Sequence, residues 1–135
     1  MQVHNARYPT TEQISALGRD SSSEPIVMLN LLRFRPKARY MDGRHTDLTG
    51  AEAYSLYAEK MGEIVEREGG RFLFAGDIKS VPIGEIEEVW DVVGLVEYPS
   101  SAAFVRIATS PEVAEIAVHR AAGLEGQLLI RVSQR

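Results

Sequence analysis

The sequence predicts an α+β domain in which strand, helix, strand, strand, helix and strand follow one another behind a short helical extension. Three observations carry this. Four apolar stretches are bounded by turn residues, as strands are. The stretches between the first and second strands, and between the third and fourth, have helical spacing behind capping residues. The first and third strands are apolar on both alternating faces, which demands cover on two sides. The order of elements is the split βαβ, ferredoxin-like arrangement, with a four-stranded antiparallel-rich sheet expected in the order 4-1-3-2.

Each element has a local cause. Thr10-Thr11-Glu12-Gln13 is a capping box, and Ile14 and Leu17 mark a short helix that stops at Gly18. Ser21-Ser22-Ser23 is a polar linker, and Pro25 precedes a strand over 26–34. These features divide the chain into an N-terminal extension over 1–24 and a ferredoxin-like domain over 25–135. Residues 35–49 read as a long polar loop with a turn at Asp42-Gly43. Thr49-Gly50-Ala51-Glu52 is a second capping box. The helix behind it places Tyr54, Tyr57, Met61, Ile64 and Val65 on one face and ends at Gly69-Gly70.

The second strand is expected over 71–78, a bend at Pro82 and Gly84, and the third strand over 89–98. Ser100 caps a short helix bearing Phe104 and Ile107. Ser110-Pro111-Glu112 restarts the chain as a helix, with a capping serine, a proline at the first position and an acid in the first turn. That helix stops at Gly123, and the last strand is expected over 127–133.

Two helices cover one face of a four-stranded sheet. The first strand nevertheless offers Ile26, Met28 and Leu32 on one side and Val27, Leu29 and Leu31 on the other. A broad apolar face implies a partner. The economical partner is a second copy, packed sheet to sheet about a twofold axis. The alternative is a monomer whose N-terminal extension covers the second face.

Composition narrows the chemistry. The 135 residues suffice for one domain. The absence of cysteine removes disulfides, thiolate nucleophiles and Cys-ligated metals. No apolar run approaches the ~20 residues that span a bilayer. The start, Met1-Gln2-Val3-His4-Asn5, shows no secretory core. A cytoplasmic protein without a membrane partner is expected. A net charge of −4 argues against a nucleic-acid partner. The charge is uneven: Arg33, Arg35, Lys37, Arg39, Arg44 and His45 crowd one stretch, and an acidic stretch follows. Twelve of the fifteen basic residues are arginine, the type suited to bidentate anion contacts.

Polar residues inside apolar strands are the informative ones, because an unpaired buried polar group costs ~1–3 kcal/mol. Asn30 interrupts the first strand. A hairpin bent near Gly84 sets Arg71 opposite Glu97 and predicts an ion pair there. A candidate pocket between sheet and helices collects Asn30, Tyr54, Arg71, Trp90, Glu97 and Arg120. Each has a plain structural reading beside the functional one. Asn30 is satisfied by a strand edge or a water, and Arg71–Glu97 is a cross-strand pair. Tyr54, Tyr57 and Trp90 fill the core, and Asp91 is a solvated strand residue. His119 and Arg120 complement a helix C-terminus.

A general base at Glu97 requires burial, and pairing with Arg71 works against it. Phosphate-loop, serine-elbow and zinc-protease motifs are absent. His4, His45 and His119 are far apart in sequence, and a metal shared by His45 and Asp47 is a weak pattern. No metal and no cofactor are expected.

An ordered set of segments resembles the domain of unknown function 1330 family, within the dimeric α/β-barrel superfamily. It runs from the stretch 25–34 through Gly50-Ala51-Glu52-Ala53-Tyr54, Gly69-Gly70-Arg71, Trp90-Asp91, Val96-Glu97-Tyr98-Pro99-Ser100 and Ser110-Pro111-Glu112 to Arg120-Ala121-Ala122-Gly123-Leu124. The resemblance spans about residues 25–132. It implies a ferredoxin-like protomer and a homodimer whose sheets close a barrel. It supplies no reaction, since the family has no established activity. The superfamily includes cofactor-free oxygenases, small isomerases and lyases, haem enzymes and stress proteins, and only His119 is open here as a haem ligand.

The functional expectation is therefore an enzyme or binder of a small carboxylate or aromatic hydroxy compound. The anion would be held by Arg71 or Arg120 and oriented by Asn30 and Tyr54. The alternative is a non-catalytic dimeric module for interaction or sensing that works through the basic loop 33–45.

Overall fold

The computed structural model describes residue 4 and residues 6–135. Its elements are α1 (Thr11–Gly18), β1 (Ile26–Phe34), α2 (Gly50–Arg67), β2 (Arg71–Asp77), β3 (Val92–Tyr98), α3 (Ser101–Ala108), α4 (Pro111–Gly123) and β4 (Leu124–Val132). The sheet order is β2-β3-β1-β4, as the split βαβ order requires. Both neighbours of β1 run antiparallel to it, and β2 is antiparallel to β3. The protomer is a ferredoxin-like α+β fold. No helix is long and apolar enough to cross a membrane.

Capping chemistry sets the helix starts where the sequence places them. Thr10 and Thr49 each close a full capping box, with Gln13 and Glu52 reaching back to the cap backbone. Ser100 and Ser110 accept from Ala103 N and Val113 N.

Strand limits differ from the sequence reading. β3 begins at Val92 instead of residue 89. The Asp91 carboxylate accepts from Phe34 N at 2.7 Å and so takes the donor that would have continued the ladder. β2 ends one residue early, at Asp77. β4 begins at Leu124, directly after α4, so the chain turns from helix to strand without an intervening loop.

Alternation along β1 separates two faces. Ile26, Met28 and Leu32 are buried under the helices with Met61, Ile64, Val65, Val96, Tyr98, Phe104, Ile107 and Val113. Val27, Leu29 and Leu31 point the other way, beside Val93, Leu95, Leu128 and Ile130. No element of the described chain covers this second face. The N-terminal segment lies elsewhere: Ala6 pairs with Gln127 at the sheet edge, and α1 packs on α3. Asp20 ties the end of that segment to Ser101 and Arg131.

The connection over 35–49 is more ordered than a polar loop. Ala38 and Tyr40 are buried with Ala53 and Ala122, and Leu48 packs on them. Arg39 N donates to Ala122 O, and Ala38 N to Leu48 O. At its base α2 and α4 meet at two glycines. A Cβ on Gly50 would collide with Arg35 O, and one on Gly123 with Gly50 O. This close approach brings the first turns of α2 beside the last turn of α4.

Candidate functional site

The glycine crossing sets Tyr54 and Tyr57 of α2 near Arg120 of α4, above the middle of the sheet. Asn30 stands there on the helix-covered face of β1, between Met28 and Leu32 in the alternation. Gln127 and Leu129 share that face from β4, opposite Leu32 and Asn30. Arg120 Nη1 donates to Gln127 Oε1 at 2.8 Å, and Gln127 Nε2 donates to Asn30 Oδ1 at 2.9 Å. The amide of Asn30 donates in turn to Met28 O at 3.3 Å. A guanidinium only donates, so it fixes the orientation of the Gln127 amide, and through it that of Asn30.

Arg120 is half-buried, and among the described residues it has no carboxylate partner. The ring of Tyr8 lies 5.2 Å from its guanidinium carbon. The rings of Tyr54 and Tyr57 are 5.5 Å apart, and Phe34 stands 5.5 Å from Tyr54. Burial pushes the phenols of Tyr54 and Tyr57 above their ordinary range, and the charge of Arg120 works against the rise. Tyr98 is pushed up by burial and by its neighbours Tyr57 and Tyr54. These three phenols stay protonated at neutral pH. Among the described residues none of their hydroxyls bonds to the protein. Tyr54 and Tyr57 are free donors near an unpaired cation, suited to receiving an oxyanion and unsuited to removing a proton.

Asn30, Tyr54 and Arg120 thus come together, and the other expected residues do not join them. Arg71 stands opposite Glu97, and Glu97 opposite Val27, so both lie on the uncovered face. Their ion pair forms at 3.1 Å, with the Arg71 side chain 68% exposed. Trp90 lies in the β2–β3 connection, outside β3. Asn30 and Arg71 therefore lie on opposite faces of the sheet.

The basic stretch is partly neutralised by acidic partners. Arg33 pairs with Glu88 and Glu125, and Arg44 with Asp42. His119 accepts or donates at Nδ1 against the Tyr40 hydroxyl at 2.7 Å, and Arg44 lies 4.5 Å over the Tyr40 ring. Among the described residues no three acidic or histidine side chains stand together as a metal site.

Among the open hollows of the surface are two beside α2. One, of about 370 Å³, lies between α2 and Phe72. The other, of about 670 Å³, is lined by Phe34, Arg35, Thr49, Asp77 and Asp91, among others. Neither includes Arg120.

Gln127 and Tyr8 escape the sequence reading as site residues. Gln127 carries the same signal as Asn30, a polar side chain within an apolar strand. It goes unnoticed when the strand is taken to begin there. Tyr8 has no signal, since nothing in the sequence shows where residues 6–9 return to the sheet.

Comparison with known proteins places the chain. A protein of unknown function from Rhodopseudomonas palustris is 39% identical, with 98% of each chain covered and a TM-score of 0.87. A methylated form of that protein matches at 41% identity over 97% of this chain and 96% of that one, with a TM-score of 0.88. A cofactor-independent oxygenase from Streptomyces nogalater is 16% identical over 83% of this chain and 96% of its own, with a TM-score of 0.50, and shares the fold alone. No curated protein matches the sequence. The family model described as domain of unknown function (DUF1330) matches residues 43–132, starting after β1 instead of at residue 25. The chain belongs to that family of domains of unknown function.

Proposed function

We propose that this protein is a homodimer that binds a small organic anion, a carboxylate or phenolate, between sheet and helices at Arg120. One observation carries the reading: a half-buried guanidinium held by Gln127, and through it Asn30, that lies near Tyr54 and Tyr57 and among the described residues has no carboxylate partner. A carboxylate at the guanidinium's unused edge would gain charge-assisted hydrogen bonds, the strong kind. Tyr54 and Tyr57 are donors positioned to orient it. Arg71, neutralised by Glu97 on the other face, has no part in this site. The chemistry is binding and polarisation of an anion, and no residue here is assigned a bond-breaking step. The homodimer reading rests on the apolar face that the described part of the N-terminal segment leaves uncovered.

The test is titration calorimetry with salicylate. Arg120→Ala is expected to weaken binding at least ~10-fold, since a hydrogen bond to a charged group is worth ~1.5–3 kcal/mol. Asn30→Ala is expected to weaken it less, through loss of the Gln127 orientation. Salicylate affinity unchanged in Arg120→Ala would sink the reading.

A further inference from the structure

Arg120 has a second neighbour whose placement the binding reading leaves unexplained. Residues 6–9 cross the edge of the sheet beside β4 before the chain enters α1. They are held there by two backbone hydrogen bonds, Ala6 N to Gln127 O at 3.2 Å and Gln127 N to Ala6 O at 2.7 Å. Downstream the chain is fixed firmly, by the capping box of α1 and by the bonds of Asp20 to Ser101 and Arg131. The crossing is thus held on both sides of Tyr8, by the Ala6–Gln127 bonds before it and the capping box of α1 after it. Tyr8 sits in the middle. The residue is 58% exposed, so burial does not explain its position. What it does meet is the guanidinium of Arg120, at 5.2 Å from the ring centroid. An aromatic face over an unpaired cation is an attractive contact that leaves the in-plane donors of the guanidinium open.

Gln127 links this crossing to the site. Its backbone carries both bonds to Ala6, and its side chain joins Arg120 to Asn30. A shift of the crossing therefore reaches the residue that orients the anion-binding group.

We infer that residues 6–9 form a flap whose Tyr8 is a ligand-contacting residue, closing over an aromatic carboxylate bound at Arg120. The inference rests on the Arg120 reading above. The anion takes the in-plane edge of the guanidinium while Tyr8 covers its face. The ring then adjoins whatever group carries the carboxylate, which favours a flat aromatic acid over a short aliphatic one. Release requires the two Ala6–Gln127 bonds to open, so the flap governs dissociation.

Stopped-flow fluorescence with salicylate, backed by calorimetry with salicylate and with propionate, tests this. Tyr8→Ala is expected to weaken salicylate roughly tenfold, mostly through faster dissociation, and to leave propionate nearly unaffected. Tyr8→Phe keeps the ring and is expected to match the parent protein. Ala6→Pro removes one of the two flap bonds without touching the ring and is expected to speed dissociation as Tyr8→Ala does. Thermal melts check that each variant is folded, which the exposure of Tyr8 makes the expected result. Salicylate bound with unchanged affinity and dissociation rate in Tyr8→Ala, but lost in Arg120→Ala, overturns the flap and leaves the Arg120 site standing. Salicylate that fails to bind the parent protein, or binds Arg120→Ala equally well, overturns both.

Discussion

The two faces of the sheet are built from the same strands and solve opposite problems. On the helix-covered face, Asn30 is polar at the centre of β1 and fully engaged, bonded to Met28 O and Gln127. Beyond it the polarity continues through Arg120 to tyrosine hydroxyls that have no protein partner. On the other face the centre is apolar, with Leu29 beside Leu95 and Ile130. Its rim carries the Arg71–Glu97 pair. Ile130 is 45% exposed there, and Phe74, aligned with Leu95 after a bulge in β2, is 56% exposed. A polar centre enclosed by helices suits a small ligand. An apolar centre with a charged rim has the anatomy of a protein interface.

The largest effect should follow from breaking that contrast at the open face. Leu29→Glu would place an unpaired carboxylate in the middle of a sheet-to-sheet interface. Desolvating a charge without a partner costs several kcal/mol, so the dimer should weaken upwards of ~100-fold. Sedimentation velocity over a concentration series measures it. Leu56→Glu, on the exposed side of α2, is the matched control and should leave the dimer intact. A parent protein that sediments as a monomer, or a Leu29→Glu variant that stays dimeric, would remove the homodimer.

How much of this contrast the sequence discloses depends on the range of the interaction involved. The caps at Thr10, Thr49, Ser100 and Ser110 are local, each needing only three or four residues, and all four are legible. The Arg71–Glu97 register is legible because one bend at Gly84 sets it. Which face that pair occupies is not, since it depends on the pairing of β1 with β3 across sixty residues. Placing Arg71 with Asn30 is therefore an error of parity, one strand removed. Asn30 declares itself by polarity. Its partner Gln127 is hidden because α4 runs into β4 without the punctuation that marks a strand start. The burial of Tyr40 and its bond to His119 are likewise long-range, and nothing in a polar stretch with an Asp-Gly turn announces them.

That latch gives a smaller effect with a defined direction. Burial, together with the nearby charge of Arg44, holds the His119 imidazole below its ordinary value of 6.5. The unfolded chain therefore takes up the proton more readily than the folded one. The stability due to the neutral ring is complete above pH 6.5 and is lost as the pH falls through the depressed value. Melting temperature followed from pH ~8 down to ~5 should fall more steeply in the parent protein than in His119→Gln, whose amide can still bond to Tyr40. The carboxylates held low by their partners, Asp42 and Glu112 among them, titrate in a more acidic range and are common to both proteins. Parallel curves would mean that the latch does not sense protons.

The smallest effect belongs to Arg71. Its guanidinium is mostly in water, and exposed pairs of this kind contribute ~0–1 kcal/mol. Arg71→Ala should lower the melting temperature by no more than a few degrees. Salicylate affinity should stay within about twofold, because an exposed charge on the far side of the sheet is strongly screened. Arg71 and Arg120 carry the same charge and lie in one domain, so the ratio of their effects on salicylate binding reports the face on which the ligand sits. A tenfold loss in Arg71→Ala with no loss in Arg120→Ala would move the anion site to the open face, where a second copy of the chain would have to complete it.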